Sequence, residues 1–284
     1  KAFQYGATQG VQELREAVAK RYGVAVDRVQ ITSSSQQGID VCTRILINPG
    51  DVILTSSPSY LGALQSFSSY RAKIVGVSHN ADIQEYKSAF VSEINKAAEE
   101  GRTVKFLYMI PDFQNPSGES LTLEERKMLA DLAEEYGFLI VEDSPYREIR
   151  FEGEHQPLIA TMAPERTIVL GTFSKTFVPG FRLGWVIAPK EIVYRYNLAK
   201  QSADLCSPIF DQCVAAKYLQ KGYFEKNLVK TIEMYRCKRD VMLASPVMAP
   251  LTPMSDGSSE LRIEMSKRSR FRDSMSPTSS DKRP

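Results

Sequence analysis

The chain has 284 residues, of which 43% are hydrophobic and 25% are charged, a composition typical of globular proteins. Its formal net charge of +2 is close to neutral for this length, so the overall charge does not favour nucleic acid or an anionic membrane as a partner. No run approaches the roughly 18 uninterrupted apolar residues of a membrane span, and the start of the chain lacks the apolar core of a secretory signal. We therefore expect a cytosolic protein that binds a small molecule.

Cysteines and histidines are few, and their placement argues against metal and hydrolase chemistry. The two histidines, His79 and His155, lie in polar stretches rather than beside a candidate nucleophile or metal ligand. The cysteines include no CxxC pair, so we expect buried, reduced thiols and no metal site. They are Cys42, Cys206, Cys213 and Cys237.

The first predicted element is a helix over residues 9–22, which places Val11, Leu14 and Val18 on one face and ends at Gly23. Short apolar or β-branched runs then alternate with helical patterns as far as the run LGWVIA. The predicted strands are VQIT, VILT, KIVGV, VKFLYM, FLIVE, TIVLG and LGWVIA, and the helices between them cover 36–47, 60–69, 84–99 and 123–136.

This alternation predicts an α/β fold with three αβα layers, in which helices cover both faces of a mostly parallel central sheet. In open sheets of this kind, ligands bind beyond the carboxyl ends of the strands. Residues 245–284 are rich in Ser, Pro, Arg and Lys, which is the composition of a flexible segment, and only 260–265 has the pattern of a short strand. Between sheet and tail, further helices are predicted over 191–201, 209–220 and 224–243.

A lysine follows one of these strands, in the sequence GTFSKTFVPGFR. From the end of a strand, the side chain of Lys175 can project into the ligand crevice, where partial desolvation would lower its pKa and free an amine nucleophile. Most lysines are solvated surface charges, so this residue alone indicates little. Its neighbours Thr172 and Ser174 offer hydroxyl groups, however, and Arg182 adds a cation, which together suit the rim of a phosphate site.

An anion-binding loop is predicted over residues 32–38, between the strand VQIT and the helix that follows. Side chains of Ser34, Ser35 and Gln36 would join the free backbone NH groups and the positive end of the helix dipole. For a lone site, the simpler interpretation would be a serine that caps the helix.

Four more candidates follow other strands. Asp143, after FLIVE, could cap a turn or pair with a ring nitrogen, and Tyr146 adds a phenol. Asn115, in FQNPSG, fits a simple Asn-Pro turn, and Tyr60 could be a core residue or could stack on a flat ring. Each residue has an ordinary structural explanation. Together with Lys175 and the anion loop, they supply the groups that pyridoxal phosphate requires.

The order of these segments resembles the class I and II aminotransferases, which are fold type I pyridoxal-phosphate enzymes. The run NPSG, then D-x-x-Y, then SK, then GFRLGW carries the resemblance, and matching segments extend over 5–188. SSSQQGID and IPDFQNPSG resemble the branch that contains 2-aminoadipate, kynurenine and aromatic aminotransferases. The same branch includes effector domains of transcription regulators, although no DNA-binding helix pair is recognisable in this sequence.

The resemblance implies a role for each candidate. Lys175 would form the Schiff base with the cofactor and then shuttle a proton between the substrate α-carbon and the cofactor. Asp143 would pair with the pyridine nitrogen, Asn115 and Tyr146 would contact the ring hydroxyl, and Tyr60 would stack on the ring. The phosphate cradle would comprise Ser34, Ser35, Gln36, Thr172, Ser174 and Arg182.

The resemblance also implies a homodimer. Tyr5 matches the family tyrosine that reaches the phosphate of the neighbouring subunit, so the sites would lie at the interface. The substrates would be an amino acid and a 2-oxo acid, exchanged in two half-reactions, and the sequence does not specify the donor side chain.

The sequence departs from the family in two places. Position 34, usually glycine, is a serine, which adds a side chain where the backbone approaches the phosphate closely. The small domain that carries the arginine for the substrate carboxylate is not recognisable, and only Arg262 faintly resembles that arginine. We expect 1–225 to form the cofactor-binding domain, 226–244 a helix leading toward the small domain, and 245–284 a truncated or disordered tail.

Two alternatives to transamination stay open at this point. A pyridoxal-phosphate lyase or synthase uses the same fold, because the fold does not determine which bond breaks. A non-catalytic pyridoxal-phosphate-binding module, either a regulator's effector domain or an incomplete fragment, is favoured by the missing carboxylate arginine. The intact set around Lys175 favours an enzyme.

Overall fold

Strands and helices alternate along residues 2–244, which are the part of the chain that the computed structural model describes. Arg262, the strand predicted at 260–265 and the tail 245–284 lie outside the described residues. The strands in residues 2–244 are β1 (Val29–Thr32), β2 (Val52–Ser57), β3 (Lys73–Ser78), β4 (Val104–Met109), β5 (Leu139–Asp143), β6 (Thr167–Thr172) and β7 (Gly184–Ile187). The α-helices there are α1 (Gln12–Tyr22), α2 (Ser34–Leu46), α3 (Leu61–Ser69), α4 (Ile83–Glu99), α5 (Leu123–Tyr136), α6 (Lys190–Ala203), α7 (Ile209–Gln220) and α8 (Tyr223–Leu243).

The strands form one sheet in the order β1-β7-β6-β5-β4-β2-β3. β7 runs antiparallel to both of its neighbours, and the other pairings are parallel. All strands except β7 therefore end at the same edge of the sheet, where β7 begins. The predicted mostly parallel sheet is confirmed.

Helices cover both faces of the sheet, as the sequence predicts. On one face α2, α3 and α6 pack against the strands, where Ile39, Phe67 and Tyr196 contribute to a core with Ile53 and Val141. On the opposite face α4 and α5 pack against the middle of the sheet, and α1 and α7 pack against the end formed by β1, β7 and β6. Successive strand residues point to opposite faces, so a strand covered on both sides is apolar at nearly every position.

Local sequence signals set several helix ends. α1 ends at Gly23, whose φ of +66° lies in the left-handed region that glycine adopts without strain. α5 begins with a capping box, in which Thr122 and Glu125 exchange hydrogen bonds between side chain and backbone. Within residues 2–244, no helix has both the length and the apolar character that crossing a bilayer would need.

The cysteines depart partly from the sequence expectation. Cys42, on α2, is buried, and Cys206 and Cys213 are half-buried. Cys237 is exposed, so the prediction of buried thiols is wrong for this residue. The reason is that Cys237 lies on α8, of which only Phe224 is buried.

A buried ion cluster holds the loop that follows β4. The carboxylate of Asp112 accepts hydrogen bonds from Arg126 on α5, at 3.0 and 3.3 Å, and from Arg150 at 2.8 Å. The side chains of Asp112 and Arg126 are both fully buried. Buried charges are tolerated only when they are paired, so this cluster fixes the loop relative to α5.

We predict that Asp112→Asn lowers the free energy of unfolding by about 3 kcal/mol or more, because it leaves the buried guanidinium of Arg126 without its counter-ion. Denaturant unfolding measures the change. The matched control is Glu134→Gln, which breaks an exposed pair with Arg166 at 3.3 Å and should cost less than about 1 kcal/mol. Equal losses in the two variants would contradict a structural role for the buried cluster.

Candidate active site

A cavity of about 240 Å³ opens at the edge of the sheet where the parallel strands end. Its walls come from the segments that follow β1, β2, β4, β5 and β6 and from the segment that precedes β7. The lining residues are Ser34, Ser35, Gln36, Tyr60, Ile110, Asn115, Asp143, Pro145, Tyr146, Thr172, Ser174, Lys175 and Arg182.

The cavity brings together every candidate that the sequence indicated, with one exception. Tyr5 does not line it, and the tyrosine side chain is 85% exposed. Sequence reasoning missed the apolar lining residues Ile110 and Pro145. Both directly adjoin segments already singled out, since Ile110 follows β4 and Pro145 precedes Tyr146, but neither carries a polar group that would have marked it.

The loop before α2 forms one end of the cavity. Ser33, at the N-cap position, makes no side-chain hydrogen bond to its own helix, so the backbone NH groups of the first turn face the cavity without a protein cap. Ser34 has a φ of +73°, in the left-handed region, and its buried hydroxyl has no hydrogen-bond partner among the described residues. This geometry explains why a glycine would suit position 34, and it stores backbone strain at the site.

The neighbouring strand lets this loop approach closely. A Cβ atom on Gly184, in β7, would lie 2.8 Å from the carbonyl carbon of Ser34 and from the backbone nitrogen of Ser35, and 2.6 Å from the carbonyl oxygen of Gly171. Only glycine fits between these backbone segments. The glycine in the motif GFRLGW therefore positions the anion loop.

Hydroxyl groups and a guanidinium line the same end of the cavity. Thr172 Oγ1 donates to Ser174 Oγ at 3.0 Å and accepts from the Ser174 backbone NH at 3.1 Å. Arg182 Nη1 lies 3.5 Å from Ser174 Oγ, and its exposed side chain is free to donate further hydrogen bonds. Hydroxyl donors, backbone NH groups and a guanidinium are the groups that bind phosphate in proteins.

A buried carboxylate also lines the cavity. Asp143 is 2% exposed, and its Oδ2 accepts a hydrogen bond of 2.8 Å from the hydroxyl of Tyr108. Its second oxygen, Oδ1, has no partner among the described residues. Burial raises the pKa of Asp143 to about 7, although the Tyr108 hydrogen bond acts to lower it. An unpaired buried carboxylate oxygen is costly, and a cationic N–H donor would satisfy it.

The lysine lies on the rim of the cavity. Lys175 is on the turn after β6, and its Nζ is 5.9 Å from the centroid of the Tyr146 ring. The side chain is exposed, so the partial desolvation expected from the sequence is absent in the described structure. The turn carries the amine beyond the strand end, where solvent reaches it.

Aromatic and amide groups complete the lining. Asn115 Nδ2 donates to the hydroxyl of Tyr146 at 3.5 Å, and burial raises the pKa of Tyr146 against the effect of this hydrogen bond. The hydroxyl of Tyr60 donates to Gln36 Oε1 at 3.3 Å, which leaves a half-buried ring on the cavity wall. An amine, an anion loop and a buried acceptor line one cavity of an α/β protein, and this set of groups suits a phosphorylated ring compound.

Comparisons with known proteins agree with this class. The family model for aminotransferase class I and II matches residues 1–244. Over 254 residues the chain is 44% identical to aromatic-amino-acid aminotransferase 1 of Thermococcus litoralis, an alignment that covers 85% of this chain and 60% of that protein. The chain therefore belongs to the class I and II aminotransferases.

Solved structures share the fold. The kynurenine aminotransferase of Pyrococcus horikoshii, in complex with PMP, has a TM-score of 0.80 and 39% identity, covering 86% of this chain and 61% of that one. The α-aminoadipate aminotransferase of Thermus thermophilus, with N-(5'-phosphopyridoxyl)-L-leucine, has a TM-score of 0.77 and 34% identity, covering 85% and 61%. This chain thus spans about 60% of the length of the relatives it matches.

The pH dependence of stability tests the buried carboxylate. The pKa of Asp143 is about 7 in the folded chain and about 3.9 in an unfolded one. Between these values the folded state binds a proton that the unfolded state has lost, so the free energy of unfolding falls as pH rises and levels off above about pH 7. Glu142 contributes in the same sense, because burial raises its pKa to about 7 as well.

We predict that Asp143→Asn abolishes the contribution of Asp143 to this fall in the free energy of unfolding and leaves the contribution of Glu142 in place. The difference in free energy of unfolding, variant minus wild type, should therefore increase by roughly 2 to 4 kcal/mol between about pH 4 and about pH 8. Denaturant unfolding of the cofactor-free proteins at several pH values gives the difference. Parallel curves for the two proteins would show that Asp143 does not titrate in this range.

Gly184→Ala tests the close approach of the anion loop. The new methyl group would meet backbone atoms that cannot move aside, so we expect a loss of about 2 kcal/mol in the free energy of unfolding. Gly180→Ala is the matched control, because a Cβ there meets nothing within 4 Å, and it should change stability by less than about 0.5 kcal/mol. A Gly184→Ala protein as stable as the control would refute the steric argument.

Proposed function

We propose that this chain is the cofactor-binding part of a pyridoxal-phosphate-dependent aminotransferase, which moves an amino group between an amino acid and a 2-oxo acid. The observation that carries the proposal is the shared cavity, in which Lys175, the free oxygen of Asp143 and the anion loop are brought together from separate strand ends. Membership of the aminotransferase family supports the same reaction.

The residues present fit pyridoxal phosphate. The unpartnered Oδ1 of Asp143 offers an acceptor for a protonated pyridine nitrogen. The uncapped start of α2 offers NH groups for the phosphate, and Lys175 offers an amine. When bound, the cofactor supplies an aldehyde that accepts amino groups and a ring that withdraws electrons from the α-carbon of an amino acid.

Lys175 is the proposed nucleophile and proton carrier. Its Nζ would hold the cofactor through the aldehyde carbon, and once displaced by the substrate amine it would take the proton from the substrate α-carbon and deliver it to the cofactor carbon that bore the aldehyde. Its position on the rim leaves the amine accessible to an incoming amino acid. A lysine held rigidly in the core would lack this reach.

The remaining groups orient and polarise the ring. Asp143 would keep the pyridine nitrogen protonated. Asn115 and Tyr146 would donate to the ring hydroxyl, and the hydrogen bond of 3.5 Å between them holds the two side chains close together for this role. Tyr60 would cover one face of the ring. Together they would hold the ring so that the amine of Lys175 reaches its reactive carbon.

The phosphate cradle is proposed from the residues around the anion loop. Its members offer hydroxyl, amide or guanidinium donors in addition to the backbone NH groups of the uncapped helix start. We assign Ser34, Ser35, Gln36, Thr172, Ser174 and Arg182 to it.

We also propose a cytoplasmic homodimer, in which Tyr5 would complete the phosphate site of the partner subunit. Exposed aromatic side chains support such an interface: Phe3 is 88% exposed and stacks on Phe210 with ring centroids 5.6 Å apart. Residues 1–225 would form the cofactor-binding domain, and 226–244 would lead toward the small domain.

Half-reactions test the proposed activity. An amino acid should bleach the visible absorbance of the cofactor-loaded chain, and a 2-oxo acid should restore it, which a lyase would not do. Lys175→Ala should abolish the visible band and lower the rate by at least about 10³-fold, because no other amine lines the cavity among the described residues. Stopped-flow absorbance measures both effects.

Lys175→Arg serves as the control for charge, since it keeps a cation but lacks a nucleophilic amine. It should be as inactive as Lys175→Ala while retaining bound cofactor. A normal spectrum and rate in either variant would refute the assignment of Lys175.

A further inference from the structure

A lysine outside the cavity is buried close to the anion loop. Lys200, on α6, is fully buried, and its Nζ donates hydrogen bonds to both carboxylate oxygens of Asp204 at 2.7 Å, to Gln37 Oε1 at 2.8 Å and to Ser207 Oγ at 3.1 Å. A buried ammonium is costly unless it is fully paired. Here its partners satisfy it, and none of them lines the cavity.

The partners of Lys200 converge on Ser33, the residue at which the anion loop begins. The backbone NH of Ser33 donates to Gln37 Oε1 at 2.8 Å, and its Oγ donates to Asp204 Oδ2 at 2.8 Å and lies 2.9 Å from Ser207 Oγ. Gln37 Nε2 also donates to Asp204 at 2.7 Å. The residues thus form one closed network around the backbone of Ser33.

This network explains why Ser33 does not cap its own helix. A serine at an N-cap normally accepts a hydrogen bond from the first turn, but the hydroxyl of Ser33 is committed to Asp204 and Ser207. The helix NH groups stay available as a result. Burial acts to raise the pKa of Asp204, but the hydrogen bonds from Lys200, Gln37 and Ser33 lower it, so the carboxylate is ionised and accepts strongly.

The network also opposes the strain at Ser34. A non-glycine residue at φ +73° persists only where the surrounding structure fixes it. β7 limits the loop on one side through Gly184, and the Lys200 network holds the preceding residue on the other. Without Lys200, the peptide between Ser33 and Ser34 would lose one of these two constraints.

We propose that Lys200 is a positioning residue for phosphate recognition: through Gln37, Asp204 and Ser207 it keeps the Ser33 hydroxyl from capping α2, so the backbone NH groups of the anion loop stay open to a ligand. This inference rests on the proposed function, because it takes the cofactor phosphate as the anion. Neither Lys200 nor its hydrogen-bond partners line the cavity, so its effect passes through the loop.

The test compares a ligand with and without phosphate. Pyridoxamine phosphate and pyridoxamine lack the aldehyde and form no bond with Lys175, so their affinities report the loop independently of amino-transfer activity. In Lys200→Met, the Kd for pyridoxamine phosphate should rise about 10-fold or more, because a charged hydrogen-bond network is lost, while the Kd for pyridoxamine should change less than about twofold. Fluorescence titration of the full chain gives both values.

Two further variants make the result specific. Lys190→Met removes an exposed lysine of the same helix, paired with Asp27 at 2.7 Å, and should change neither Kd. Gln37→Leu keeps the pair between the buried Lys200 and Asp204 and the bond from Ser33 Oγ to Asp204, but it removes the amide that accepts from the Ser33 backbone NH. It should therefore show the same phosphate-selective loss even where Lys200→Met fails to fold.

The proposal is overturned if both ligands weaken equally in Gln37→Leu, since the network would then be a general structural feature. Unchanged affinity for pyridoxamine phosphate in that variant would overturn it as well. So would a wild-type chain that binds the two ligands equally, because the loop would then not recognise phosphate. Failure of the half-reactions alone would count against the proposed function and leave this comparison intact.

Discussion

Parallel strand pairing is the constraint on which the rest of the structure depends. Because β1, β2, β4, β5 and β6 run in the same direction, their carboxyl ends lie along one edge of the sheet, and every segment that leaves them starts there. β7 enters at the same edge because it is antiparallel to β6. Groups from distant parts of the sequence are thereby gathered around one cavity.

The two acidic residues at the end of β5 point in different directions, and only one of them is available to a ligand. Glu142 and Asp143 are both buried, and burial raises the pKa of each to about 7. Glu142 points away from the cavity and accepts hydrogen bonds from the backbone NH groups of Ile159 and Ala160 at 3.2 and 3.1 Å. Asp143 points into the cavity with one oxygen unpaired. The first carboxylate completes the packing, and the second costs stability until a donor reaches it.

Two ion clusters that do not line the cavity support the loops around it. Asp112 and Arg126 fix the loop that carries Asn115, and Lys200 with Asp204 fixes the start of the anion loop. Such supporting contacts matter because a site works only when its donors are held within a fraction of an ångström of their working positions. The strained backbone at Ser34 depends on the second cluster and on the glycine of β7.

The sequence alone determined the alternation of strands and helices, the mostly parallel sheet and the polar residues that line the cavity, because apolar periodicity and strand-end motifs are local signals. Tertiary structure decided what depends on distant neighbours: the exposure of Lys175, the hydrogen bond from Tyr108 to Asp143, and the Lys200 network around Ser33. In the sequence, nothing distinguishes a buried tyrosine or lysine with a polar partner from other residues of the same type. Its partner lies far away along the chain, and only the packing of strand and helix faces brings the two together.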